Sequence, residues 1–183
     1  MAIHPTAIIS KEANIDSGNE IGPNVIIEGN ATIGKNNIIM ANAFIGTNTT
    51  IGDENEINIG AVVGNAPQDK KFKSSMKTYL KMGNKNVVRE YVTVHRSANE
   101  GLTTTIGDEC FLMAGSHIAH DCHVGNLVIL ANTSALGGHV HVGDRAFIGG
   151  GAVIHQFVHI GRFAMIAGNS RFSMDIPQIG RAS

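Results

Sequence analysis

Aliphatic residues recur at every sixth position of this chain. Ile3, Ile9, Ile15, Ile21, Ile27, Ile33, Ile39, Ile45, Ile51, Ile57 and Val63 keep a strict spacing of six. After an interruption the spacing resumes at Met82, Val88 and Val94, then runs from Ile106 through Leu112, Ile118, Val124, Leu130, Leu136, Val142, Ile148, Ile154 and Ile160 to Ile166. Small residues follow four positions later at Ala7, Ala13, Ala31, Ala43 and Ala61. A helix buries residues at spacings of three and four and an ordinary strand at two, so a period of six predicts short strands separated by tight corners. Gly22, Gly34, Gly46, Gly52, Gly64, Gly107, Gly125, Gly143, Gly149 and Gly161 each follow an aliphatic position. Such glycines suit a corner that needs unusual dihedrals or the close approach of another rung.

This pattern resembles the hexapeptide-repeat family, whose members wind three hexads into each triangular coil of a left-handed parallel β-helix and usually trimerise. The resemblance implies an all-β triangular prism of about eight coils in one domain over 1–183. Residues 18 apart then stack one above another at roughly 4.8 Å. Two segments break the repeat. Val63 to Met82 is three hexads plus one residue, which predicts a protruding loop at about 64–81. Val94 to Ile106 is two hexads with Glu100 at the aliphatic site, which predicts a second loop at about 95–105 that keeps register.

An aliphatic prism carries little chemistry, so function is expected in the loops or in polar residues stacked at a corner. Seven of the nine histidines fall between His117 and His159. His120, His139 and His155 occupy neighbouring places on one corner of three successive coils. Asp121 stacks on His139, and His120, Gly138 and Gln156 form the adjoining column. An imidazole beside a carboxylate suits general-base work near neutral pH, and an unobstructed Gly138 N–H suits a developing oxyanion. His123, His141 and His159 form a second ladder, read either as an exposed column on a prism face or as three ligands of a metal site.

Composition narrows the setting. The 183 residues carry a net charge of −1, which gives no global pull toward nucleic acid or a membrane surface. Eight of the 14 Lys and Arg residues lie between Lys70 and Arg96, which predicts either a solvated loop or an anion-facing patch. Two cysteines make no disulfide framework, and no apolar run reaches membrane-spanning length. The expectation is a cytoplasmic protein with no integral membrane segment.

HIAHDC at 117–122, LGGHV at 136–140, IHQF at 154–157 and PQDKKF at 67–72 closely resemble the motifs of the UDP-N-acetylglucosamine acyltransferase family, the first enzymes of lipid A synthesis. The resemblance implies that His120 is the general base, Asp121 its orienting partner and Gly138 the oxyanion donor. It marks Gln68, Asp69, Lys71, His117, His139, His155 and Gln156 as substrate-binding residues and Gly168 as the position limiting acyl length. It further implies acyl-acyl carrier protein as co-substrate, a UDP-sugar acceptor carrying a 3-hydroxyl or 3-amine, a homotrimer, and no metal or other cofactor. Family members run on into a C-terminal helical domain, whereas this sequence stops at Ser183, soon after MDIP. Two other readings stand beside the enzyme: a short non-catalytic nucleotide-sugar-binding or scaffold paralogue, and a metalloenzyme resembling the γ-class carbonic anhydrases. The paired histidines of that last family, five residues apart, do not occur here.

Overall fold

The computed structural model describes residues 2–178 and the backbone of 181–182. Its strands, most of them two residues long, are all parallel and form three sheets of ten, nine and eight strands. The first face starts at Ala2–Ile3, the second at Ile8–Ile9 and the third at Asn14–Ile15, and each next strand on a face lies one coil above. This is the left-handed parallel β-helix of the hexapeptide class. The second residue of each short strand points inward: Ile27, Ile45, Leu112, Ile118, Leu130, Leu136 and Ile148 are buried in one continuous core. The first residue points outward. The strands make up eight full coils, as the repeat predicts, and Met165–Ile166, Arg171–Phe172 and Arg181–Ala182 extend the first and second faces beyond them.

The corners explain the rest of the hexad. A residue with positive φ recurs three positions after the inward aliphatic side chain, as at Asn24, Asn30, Asn36, Asn42 and Asn48 (φ 55 to 60°). Asn tolerates this left-handed conformation because its short polar side chain can hydrogen-bond locally. The glycines directly after the aliphatic positions serve close approach instead. Of the ten, only Gly64 has positive φ, while a Cβ at Gly107 would sit 2.7 Å from Gly125 O and one at Gly143 2.6 Å from Arg162 N.

The insertions are shorter than the broken hexads suggest. Val62–Asn65 and Tyr79–Met82 are strands, so the first loop spans 66–78 rather than 64–81. Thr93–His95 and Thr103–Ile106 bound the second at 96–102 rather than 95–105. Met82 pairs with Ile51, 31 residues earlier, and Ile118 with Val94, 24 earlier. The second insertion adds one whole hexad and leaves register intact; the first adds thirteen residues, with a register shift between Val63 and Asn65. Both leave the prism at the edge between the second and third faces. No helix among the described residues is long and apolar enough to cross a membrane.

Candidate active site

The edge that sends out both loops also carries the histidines, one coil further on. His120 and Asp121 lie between His117–Ile118 on the second face and His123–Val124 on the third. The next coil brings Gly138 and His139 to the same corner, and the one after brings Gln156 and Phe157. Asp121, His139 and Phe157 all occupy the left-handed corner position (φ 60, 61 and 67°), which stacks them in a column. The His139 and Phe157 rings are parallel, with centroids 4.6 Å apart.

Asp121 organises the cluster. Its Oδ2 accepts from His120 Nδ1 at 2.8 Å, and His139 Nε2 lies 3.7 Å from the same oxygen. The second loop supplies three more donors: Ser97 Oγ to Oδ1, Ala98 N to Oδ2 at 3.2 Å and Asn99 Nδ2 to Oδ2 at 3.0 Å. Burial pushes the Asp121 carboxyl up, but the hydrogen bonds from Ser97, His120 and Ala98 together outweigh it and hold the group below its ordinary value. Asp121 is therefore an anion, held by donors on both of its oxygens. A carboxylate only accepts, so His120 carries its proton on Nδ1 and leaves Nε2 as a lone-pair nitrogen.

Gly138 lies under the His120 ring. A Cβ there would meet Cε1 at 2.7 Å and Nε2 at 2.9 Å, so no other residue leaves the ring in place. The Gly138 carbonyl accepts from Phe157 N at 3.0 Å, while its N–H has no acceptor among the described residues. His117 donates to or accepts from Thr93 Oγ1 through Nδ1 at 2.7 Å. Burial and then the neighbouring His120 lower its pKa. Edge-on to it, at 4.9 Å between centroids, is His95, buried and with Nδ1 unpartnered. Burial, followed by the charges of His117, His120 and Arg96, pushes His95 down to about 4.

The other sequence candidates lie farther out. His155 and Gln156 are exposed on the coil above, with His155 Nδ1 3.2 Å from Gln156 O. Gln68 and Lys71 are exposed on the first loop, where Asp69 Oδ1 accepts from Lys71 N at 2.7 Å. None of the three loop residues bonds to the histidine cluster among the described residues. Gly168 is on a different edge altogether, between Met165–Ile166 on the first face and Arg171–Phe172 on the second. The basic segment is not uniform either, since Arg89 pairs with Glu90 at 2.7 Å and Arg96 is buried.

The ladder on the third face is a stack of rings, His123 on His141 at 4.7 Å and His141 on His159 at 4.6 Å. Rings one rung apart do not gather their nitrogens on one ion. Among the described residues the group of three or more histidine and acidic ligand atoms within 4.8 Å of one another is that of His120, Asp121 and His139. There the His120–Asp121 contact already holds a proton that a metal would have to displace. Ser97 and Asn99 were not singled out by the sequence; the available signal was that they sit where the hexad breaks, one coil from HIAHDC.

The model of the family described as bacterial transferase hexapeptide (six repeats) matches residues 12–47 and 103–138. Acyl-[acyl-carrier-protein]–UDP-N-acetylglucosamine O-acyltransferase of Thermodesulfovibrio yellowstonii is 48% identical over 140 residues, 75% of this chain and 54% of that protein. Its counterpart in Paraburkholderia xenovorans is 52% identical over 139 residues, 75% of this chain and 53% of the relative. The chain thus spans about half the length of the curated relatives it matches. Among solved structures, LpxA from Acinetobacter baumannii superposes with a TM-score of 0.96 at 41% identity, covering 100% of this chain and 72% of that one. LpxA of Bacteroides fragilis, a UDP-N-acetylglucosamine acyltransferase, gives 0.93 at 42%, covering 97% and 70%. At this level of identity and superposition, the chain belongs to the UDP-N-acetylglucosamine acyltransferase family.

Proposed function

We propose that the chain transfers an acyl group, such as a 3-hydroxyacyl chain, from acyl carrier protein to the 3-position of UDP-N-acetylglucosamine or its 3-amino analogue, at the start of lipid A synthesis. The observation that carries this reading is the 2.8 Å contact between His120 Nδ1 and Asp121, which leaves Nε2 free as a base beside an unpartnered Gly138 N–H. Those are the two groups an acyl transfer requires. The acceptor oxygen or nitrogen attacks the thioester carbon and gives its proton to His120 Nε2. The carbonyl oxygen becomes an oxyanion that the Gly138 N–H receives. As the carbon–sulfur bond breaks, His120 returns the proton to the leaving thiolate, and the products are an ester or amide and a free thiol. Asp121 stabilises the imidazolium in between. His117, His139, His155 and Gln156 position the substrates, together with Gln68, Asp69 and Lys71 from the first loop.

This reaction calls on no metal or other cofactor, and acyl-acyl carrier protein is the co-substrate. The working unit is a homotrimer, because a convex edge encloses nothing and ligand sites are concave. A second chain supplies the missing wall and brings the edge carrying Gly168 to the histidines. The compartment is the cytoplasm, which suits two free, buried thiols at Cys110 and Cys122. Mass spectrometry of the products from UDP-sugars and a mixture of acyl carrier proteins tests the reading. A mass gain of one acyl group, absent with His120→Ala, is the expected result. An unmodified sugar throughout would leave the chain a binding module.

A further inference from the structure

The fold buries one guanidinium without giving it a carboxylate. Arg96 is 8% exposed, at the start of the second loop. Its Nε donates to Thr78 Oγ1 at 3.2 Å and its Nη1 to Gly64 O at 3.1 Å, and the group lies 5.4 Å from the centre of the Phe72 ring. All three partners are neutral. No ion pair to Arg96 exists among the described residues. Two of the five N–H groups are used, which leaves three without an acceptor among these residues. The unpaired Nη2 is not among the enclosed unpartnered atoms, so it opens on the space beside it, and the charge of Glu28 reaches Arg96 without an ion-pair contact.

That space is built for a counter-ion. Arg96 walls a cavity of about 540 Å³ between the first loop and the coils beneath, with Lys77, Ser74 and Ser75 on the loop side and Thr47 and Asn48 opposite. No carboxylate lines it. The two acidic side chains nearest by contact are committed elsewhere: Glu28 accepts from Thr47 N and Glu100 from Lys77 N, both at 2.9 Å. Both lower the net positive field of the cavity, so the site selects by its donors rather than by bulk charge. We propose that this cavity binds a phosphate-class oxyanion, which is the counter-ion that Arg96 lacks.

The donor set matches that chemistry. A guanidinium presents a planar fork to tetrahedral oxyanions, and an ammonium and several hydroxyls fill the remaining oxygens. Two sources carry such a group, the diphosphate of a nucleotide sugar and free inorganic phosphate or pyrophosphate. The first of these rests on the proposed function; the site itself does not. Position favours a link to the reaction, because Arg96 is held between His95, which packs on His117, and Ser97, which hydrogen-bonds Asp121.

Calorimetric titration of the full chain with inorganic phosphate and with pyrophosphate, against sodium chloride at equal ionic strength, tests the proposal. One phosphate-class anion should bind per chain. Lys77→Ala should weaken it about tenfold, the worth of one charged hydrogen bond, and Arg96→Gln should abolish it. Since Arg96 also ties Thr78 and Gly64, Ser75→Ala joins Lys77→Ala as a change confined to the loop. Binding displaced by UDP-N-acetylglucosamine assigns the site to the nucleotide sugar, and binding indifferent to it assigns the site to the free anion; both uphold the cavity as an oxyanion site. Phosphate that behaves as chloride does, or that binds the three variants as well as the parent, overturns it. Acyl transfer is assayed separately, so a chain that binds phosphate but makes no acylated sugar would fault the proposed reaction alone.

Discussion

At Asp121 the backbone and the side chain make separate demands. The left-handed φ of 60° favours Asn or Asp among non-glycine residues, and the chemistry needs the negative charge. Asp121→Asn therefore keeps the corner while removing the group that fixes the His120 tautomer. Acyl transfer should fall by about 100-fold or more, and the melting point should fall with it, since an amide cannot accept from all the donors that converge on the carboxylate. Ser97→Ala, which removes one donor to the same carboxylate and frees the Asn99 N–H that Ser97 Oγ accepts, should lower kcat more than it raises KM, because Ser97 reaches His120 through Asp121. His95 is a second residue-scale case. Its pKa of about 4 in the folded chain lies below the unfolded value near 6.5. The unfolded chain alone therefore takes up a proton between those values, so stability is full above about pH 6.5 and declines as pH falls toward about 4. Denaturant midpoints across that window should drop for the parent and drop less for His95→Gln; parallel curves would remove His95 from the acid response.

At the scale of elements, the corner between the third and first faces shows how the repeat is stitched. Asn19, Asn37, Asn55 and Asn86 are buried one above another, each Oδ1 accepting from the backbone N–H and Nδ2 of the next asparagine up to Asn86, whose Oδ1 receives Cys110 N. Asn55→Ala leaves the Asn37 oxygen with the residue-55 backbone N–H alone and takes the acceptor from the Asn86 N–H and Nδ2, which should cost about 2 kcal/mol or more, read as a lower urea midpoint. The aliphatic hexad was legible in the sequence because every inward side chain faces the same environment at the same interval. The asparagine ladder and the αL corners share that interval but were masked by the residues that interrupt them, such as Glu54, Lys85 and Tyr91. The grouping of Gly138 with His120 and of His139 with Asp121 was legible because an 18-residue coil converts spacing directly into stacking. The Asp121 clasp was not: Ser97 and Asn99 reach it from an irregular loop, across 24 and 22 residues, and no period predicts where such a loop returns. Nor does spacing announce a buried Arg96, since its neighbours in sequence are a strand end and a turn.

At the scale of the whole molecule, the two edges that the proposed function calls on point in different directions. The histidines lie between the second and third faces, and Gly168 lies between the first and second. One face separates them, so on the proposed function an acyl chain that starts at His120 and ends at Gly168 crosses to another copy. This yields an experiment that one chain alone cannot imitate. His120→Ala chains should be inactive but keep the native Gly168 edge. Gly168→Met chains should stay active and transfer shorter acyl groups, since a Cβ there already meets Gly150 O at 3.0 Å and the longer side chain must fill the space outside. Light scattering should first give three times 19.3 kDa for each. When the two chains are co-expressed, a cyclic trimer places some working histidines against the native Gly168 of an inactive neighbour. Long-chain product should then reappear, although neither parent makes it. A mixture that yields short-chain product alone would put His120 and Gly168 to work within one chain, and the shared site would have to be abandoned.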